Sequence, residues 1–342
     1  MDTINNTPFE TALLVGMGPD QNDNIVLIVK GTFELTNQQV CQVASRQLPI
    51  FPSEQFFANP PVGETPGSSV TIEGDYVIYK PKTDVILIGK AYAPGGVPRD
   101  KFDVSLSING VTKIIRVIGD RKWELNGGVF GVSGTTLFTT MDLIFENAYG
   151  GIDPKDDQHV YEENPLGKGF YATQLAAIGN PLPNLEDANS PIIAWNQRPA
   201  PKGFAWYGKS WLSRRQKAGS VESYAPDLPP DFDWEFNNGA APDLIRPYLR
   251  GDETILLKNC EPSGTFRLTL PGITPSVKMN FGMGAEAMTM VLDTLCIIME
   301  SEIEVVPDNE ELITKRAYLV WRGRKSVDPA HTLDLLQETL ID

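Results

Sequence analysis

Residues 146–251 place 12 Pro, 10 Gly and 14 aromatic residues, including four of the six Trp, in 106 positions without one long periodic segment. The stretch reads ENAYGGIDPKDD, ENPLGKGFY, NPLPNLED, PAPKGFAWYGKSWLSRRQKAGS and LPPDFDWEFNNGAAPDL. Loops of that extent are either functional or disordered. Disordered chains are poor in aromatics, whereas here they recur throughout. The composition predicts an ordered, irregular surface, bent by Pro and Gly, anchored by Trp, Tyr and Phe, and suited to contact with a partner.

The flanks read as strands. In Phe102–Ile108, Phe102, Val104, Leu106 and Ile108 fall on one face, with Asp103, Ser105 and Ser107 on the other. Asn109-Gly110 follows, then VTKIIRVIG, the sequence pattern of a type I′ hairpin. Thr11–Val15, Asn24–Leu35, Val70–Tyr79 and Asp84–Tyr92 are further strand candidates before the irregular middle. After it come Thr254–Lys258, Thr265–Leu270, Met288–Met299, Glu302–Val306 and Arg316–Trp321, with PDNEE as a connecting turn. Only the end has helical spacing: Asp328 as cap, Pro329 in the first turn, and Leu333, Leu336 and Leu340 on one face. The expectation is a mainly β protein with antiparallel, sandwich-like sheets at both ends and a short C-terminal helix. It divides into a β region over 1–145, a loop-rich binding region over 146–251 and a second β region over 252–342, or joins these in one continuous unit.

The formal charge of −15, from 44 acidic and 29 basic residues, argues against nucleic acid and anionic membranes as partners. The three cysteines, Cys41, Cys260 and Cys296, are far apart and odd in number, which fits buried free thiols in a reducing compartment. The start, MDTINNTPFE, lacks the basic and apolar regions of a signal peptide. The most apolar window, Met290–Met299, is interrupted by Asp293 and too short to span a bilayer. A cytoplasmic location is expected.

Catalytic patterns are sparse. His159 and His331 have no ligand-spaced partner, and no Cys-x-x-Cys or nucleophile elbow occurs. Asp153-Pro-Lys-Asp-Asp157 lacks the Gly and terminal Glu of a calcium loop. No cofactor and no metal is therefore expected. The one chemistry with enough parts is glycoside hydrolysis by a carboxylate pair, from Asp231, Asp233 and Glu235 beside Trp234, or Asp142 with Glu146. A carbohydrate-active or carbohydrate-binding β-sandwich is the alternative reading. More conspicuous is a basic–aromatic cluster within twelve residues: Trp206, Tyr207, Lys209, Trp211, Arg214, Arg215 and Lys217. Trp and Arg are enriched in binding hot spots. The candidate partner-binding set is Trp206, Tyr207, Trp211, Arg214, Arg215, Asp231, Asp233 and Trp234. The same residues also suit an internal role, with the arginines clamping loop carboxylates and the tryptophans in the core. The run Lys315, Arg316, Arg322, Arg324 and Lys325 is similar in kind and reads as strand-flanking charge.

DVILIGKAYAPGG (84–96), IGDRKW (118–123), MDLIFENAYGGID (141–153), ENPLGKGF (163–170), LPNLE (182–186), PKGFAWYGKSWLSRR (201–215), AGS (218–220) and LPPDFDWEFNNGAAPDL (228–244) occur in this order. Together, over roughly residues 10–325, they resemble a bacterial family long described only as a domain of unknown function and encoded in type VI secretion gene clusters. The resemblance implies a non-enzymatic cytoplasmic adaptor or chaperone. Such a protein would hold a toxic effector and help load it onto the secretion spike, beside a PAAR-repeat tip and a valine-glycine-repeat spike protein. The resemblance carries no catalytic residues.

Overall fold

Asn109 and Gly110 adopt φ of +50° and +76°, the paired left-handed conformations of a type I′ turn. They set Ile108 opposite Val111 and Lys101 opposite Ile118, so the expected hairpin forms over Lys101–Ile108 and Val111–Ile118. Phe102, Val104, Leu106 and Ile108 are all buried, as the alternation requires. This hairpin is the middle of a six-stranded sheet ordered Leu185–Asp187, Val111–Ile118, Lys101–Ile108, Thr254–Lys258, Thr265–Thr269 and Gln39–Val40. Every neighbour is antiparallel except the last, a parallel pairing.

The computed structural model describes residues 2–58, 67–220, 228–299, 315–328 and 331–342. Its larger sheet runs Ile245–Arg246, Thr83–Ile88, Met290–Ile298, Arg316–Ser326, Asp23–Glu34 and Glu10–Met17, with Gln42–Val43 also paired to Asp23–Glu34. Thr83–Ile88 lies parallel to Met290–Ile298, and the other pairs are antiparallel. Asp23–Glu34 is buried at every position but its two ends, the signature of a strand covered on both faces. Both large sheets draw strands from both flanks of the irregular middle. Buried apolar residues from Phe9 to Ile341, drawn from both flanks, form one core cluster.

A four-stranded sheet joins the chain ends, in the order Asp2–Asn5, Glu338–Ile341, Val277–Asn280 and Ala285–Met288. This corrects the expected C-terminal helix. Leu333–Leu335 forms a single 3-10 turn, and Glu338–Ile341 then becomes a strand between Asp2–Asn5 and Val277–Asn280. The leucine spacing was too short to hold a helix against backbone partners on both sides. Two other strands are reshaped. Val70–Tyr79 keeps only Val70–Ile72 as strand, and Asp84–Tyr92 divides at Gly89, its second part, Lys90–Tyr92, pairing with Thr140–Asp142. Glu302–Val306 and the PDNEE turn lie outside the described residues.

Trp123 of the N-terminal flank joins Tyr149, Tyr171, Ala176, Ala177, Leu182 and Ile192 of the middle in a second, smaller core. The three cysteines are free and buried. Among the described residues no helix is long and apolar enough to cross a membrane.

Candidate functional site

The aromatic–basic segment is threaded through the interior. Leu87 N–H donates to Phe204 O at 3.1 Å, Tyr207 N–H donates to Gly239 O at 2.8 Å, and Trp206 bridges to Val70. The chain then turns at Gly208, where a Cβ would lie 2.7 Å from Trp211 Nε1; only glycine allows the indole to fold back there. Trp206, Tyr207 and Trp211 are 1%, 6% and 4% exposed. Phe145 packs edge-on against both Tyr207 and Trp211, with ring centroids 4.9 and 5.0 Å away.

Leu212–Arg215 forms one helical turn that separates two adjacent arginines. Arg214 points inward. Its Nη1 and Nη2 donate to Glu73 Oε2 and Oε1 at 3.0 Å each, Nε donates to Phe236 O at 2.9 Å, and Nη1 also donates to Tyr207 O at 2.7 Å. Burial alone would raise the Glu73 carboxyl, but Arg214, aided by Lys209 and Lys80, holds it below its ordinary value. Arg215 points outward, half-exposed, to Glu162 at 3.1 Å.

The covered face of the large sheet carries further interior charges. Register places Lys30, Val320, Thr294 and Asp84 in one row, with Ile28 and Arg322 two residues along on the same face. Lys30 Nζ donates to Asp75 Oδ2 at 2.7 Å and lies over the Phe51 and Tyr318 rings. Lys80 and Asp84 are 2.6 Å apart, and the Asp84 oxygens also accept from Asn238 Nδ2 and from the backbone N–H groups of Gly239 and Ala240. A bulge between Leu292 and Thr294 turns Asp293 toward Arg322 Nε, 2.6 Å away. Lys30–Asp75 and Lys80–Asp84 tie the sheet to the loops that cover it, Asp293–Arg322 joins two of its strands, and Arg214–Glu73 joins two of the covering segments.

The predicted partner-binding set is therefore not one surface. Trp206, Tyr207, Trp211 and Arg214 are interior, the alternative left open by the sequence, with Glu73 and not Asp231 or Asp233 as the clamped carboxylate. Asp231 and Asp233 are exposed and Trp234 half-buried. Asp231 accepts from Ser220 N–H at 3.0 Å, Asp233 caps the turn at Trp234–Asn237 by accepting from Glu235 N–H at 2.9 Å, and Glu235 is gripped by Lys82 and Lys217 at 2.5 and 2.9 Å. Asp142 and Glu146 do not share a site: Glu146 accepts from Ser69, while Asp142 lies 4.0 Å from Lys90. Asp153 braces its own loop by accepting from Lys155 N–H at 2.7 Å and Ala172 N–H at 2.6 Å.

What sequence reasoning missed is a set of exposed aliphatic residues that lie close in sequence to residues of the smaller core or packed against it. Leu125, Val129, Leu175 and Ile193 are 50%, 72%, 76% and 77% exposed. They neighbour residues of that core or packed against it: Trp123 and Phe130 in the hairpin, Ala176 beside Leu175, and Ile192 beside Ile193. In sequence, Leu175 and Ile193 look no different from the buried residues next to them.

The fold and its internal braces define a mainly β protein whose irregular middle is held from within. A family model described as an uncharacterized protein conserved in bacteria (DUF2169) matches residues 20–306, and the chain belongs to that family. No curated protein and no solved structure matches the chain.

Proposed function

We propose that the chain is a non-enzymatic adaptor that holds a protein cargo by its irregular middle. The observation that carries this reading is the exposure of Leu175 and Ile193 in the middle, and of Leu125 and Val129 in the hairpin before it, each near residues of the smaller core. Large apolar side chains left exposed on loops and short elements suit protein contact. The internal ion pairs support it, because a surface held in shape loses less conformational entropy on binding. The ordered motifs from 84–96 to 228–244 favour a type VI secretion effector as cargo and the PAAR-tipped spike as destination, with the chain acting in the bacterial cytoplasm. The sugar reading has less support: Asp231, Asp233 and Glu235 are each engaged in local bonds of their own.

Co-expression with the products of flanking genes, followed by co-purification, tests the proposal. The expected result is capture of a toxin or spike-tip protein by the native chain. Leu175→Asp/Ile193→Asp should lose that capture with little change in melting temperature. Capture undiminished in the double variant, or no capture by the native chain, would overturn the reading.

A further inference from the structure

A cleft of about 440 Å³ opens between the Val111–Ile118 strand, the loops carrying Tyr161 and Glu163, the 198–207 segment, Ser213 and Ala241–Asp243. That volume is in the range of small-ligand sites. Its apolar wall comes from Tyr161, Tyr207, Ala200, Pro201, Ala241 and Pro242.

The cations on this wall are already engaged. Lys113 Nζ donates to Asp243 Oδ1 at 2.7 Å, and Lys202 Nζ lies 2.8 Å from Asp187 Oδ2. Arg198 directs Nη1 to the Tyr149 hydroxyl and the Trp195 and Gln197 carbonyls, and Nη2 to the Tyr171 carbonyl. Of the two lining carboxylates, Asp243 holds Lys113. Glu163, half-buried, accepts no hydrogen bond and makes no ion pair among the described residues. Its charge nevertheless reaches the cleft: after burial, Glu163 is the cause that holds the Tyr161 hydroxyl above its ordinary value. The Ser213 hydroxyl oxygen on the same lining is buried with no hydrogen-bond partner.

We propose that this cleft receives a basic side chain, the guanidinium of Arg or the ammonium of Lys, projected by another polypeptide. The head group pairs with Glu163 and donates to Ser213 Oγ, which satisfies two polar groups that otherwise lie idle in a partly desolvated place. The alkyl stem lies along Tyr161, Pro201 and Pro242, as long cationic side chains cover apolar surface. The formal charge of −15 steers such a partner toward the protein at long range. A free diamine or a free amino acid carries a second charged group for which the lining offers no unengaged counterpart; a side chain within a polypeptide carries one.

The test is a titration of isotope-labelled full-length protein, followed by amide NMR shifts, with N-acetyl-arginine-methylamide and its lysine and glutamate counterparts, and with putrescine. The two basic amides should shift Tyr161–Glu163, Pro201 neighbours, Ser213 and Asp243 saturably, and the glutamate amide should not. Glu163→Gln should weaken binding at least tenfold without moving the melting temperature, and Glu163→Asp, which keeps the charge, should restore most of it. No saturable shift up to about 20 mM, well above the millimolar range of single-contact ligands, would overturn the proposal. So would equal binding by Glu163→Gln, or putrescine binding more tightly than the basic amides. The titration reads the cleft alone, so its failure is separate from failure to capture a flanking gene product.

Discussion

Arg214 and Glu73 lie 141 positions apart in the chain and meet through two parallel N–H···O bonds of 3.0 Å, with side chains only 4% and 5% exposed. The neighbouring Arg215 makes an ion pair with Glu162 in which both side chains are about half exposed, 51% and 53%. Two adjacent arginines thus face opposite dielectric environments. Removing one partner of a buried pair leaves an uncompensated charge and costs about 3–5 kcal/mol, whereas an exposed pair contributes about 0–1 kcal/mol. Arg214→Ala is expected to destabilise by about 3 kcal/mol or more and Arg215→Ala by under about 0.5 kcal/mol. Urea unfolding of the two single variants checks this, and equal losses would show the assignment of inside and outside to be wrong.

The same pair marks what is legible in a sequence of this kind. Alternation and turn chemistry lead directly to the Lys101–Ile108 and Val111–Ile118 hairpin and to Thr254–Lys258, because those signals are local. The direction of a charged side chain is not local. Arg214 and Arg215 are identical neighbours, and Lys30 lies inside an apolar strand whose partner, Asp75, is 45 residues away. Leu333, Leu336 and Leu340 have helical spacing, yet backbone partners at both chain ends draw Glu338–Ile341 into a sheet. Among the described residues of the aromatic-rich middle, the anchors Trp206, Tyr207 and Trp211 sit inside. The exposed residues near the smaller core are ordinary aliphatics, and Glu163 is one acidic residue among many.

Glu235 gives a pH signature. Hydrogen bonds from Lys82 first, then Lys217, pull its carboxyl down from 4.5 to about 2. A carboxyl depressed in the folded state contributes stability that is fully present above about pH 4.5, the unfolded value, and is lost as pH falls through about 2. Glu235→Gln should therefore lower the melting temperature at neutral pH, and the gap from the native chain should close on acidification through that window. The three side chains are partly exposed, so salt should narrow the gap at neutral pH. A gap that persists unchanged to about pH 2 would contradict the geometry.

The thiols of Cys41, Cys260 and Cys296 are all buried, and burial pushes each up to about 12. Thiolate is the reactive form, so a disulfide reagent at about pH 8 should react slowly with the native protein and promptly with all three thiols in denaturant. One fast equivalent under native conditions would show that a cysteine lies nearer the surface than described.

Gly110 isolates a purely conformational effect. A Cβ built there meets nothing within 4 Å, so sterics with the rest of the protein cannot oppose substitution; only its φ of +76° can. A residue with a Cβ pays for that left-handed conformation with about 1 kcal/mol, and a β-branched one with more. Gly134 provides the control: it too has open space around its Cβ, but its φ lies outside the left-handed region. Gly134→Ala should be neutral or slightly stabilising, since alanine restricts the unfolded chain. Gly110→Ala should cost about 1 kcal/mol, Gly110→Val more, and Gly110→Asn less, because Asn tolerates positive φ. Thermal unfolding of the four variants decides the matter. If Gly110→Val melts with the native protein, the register that places Ile108 opposite Val111 cannot be correct, and the centre of the six-stranded sheet must be drawn differently.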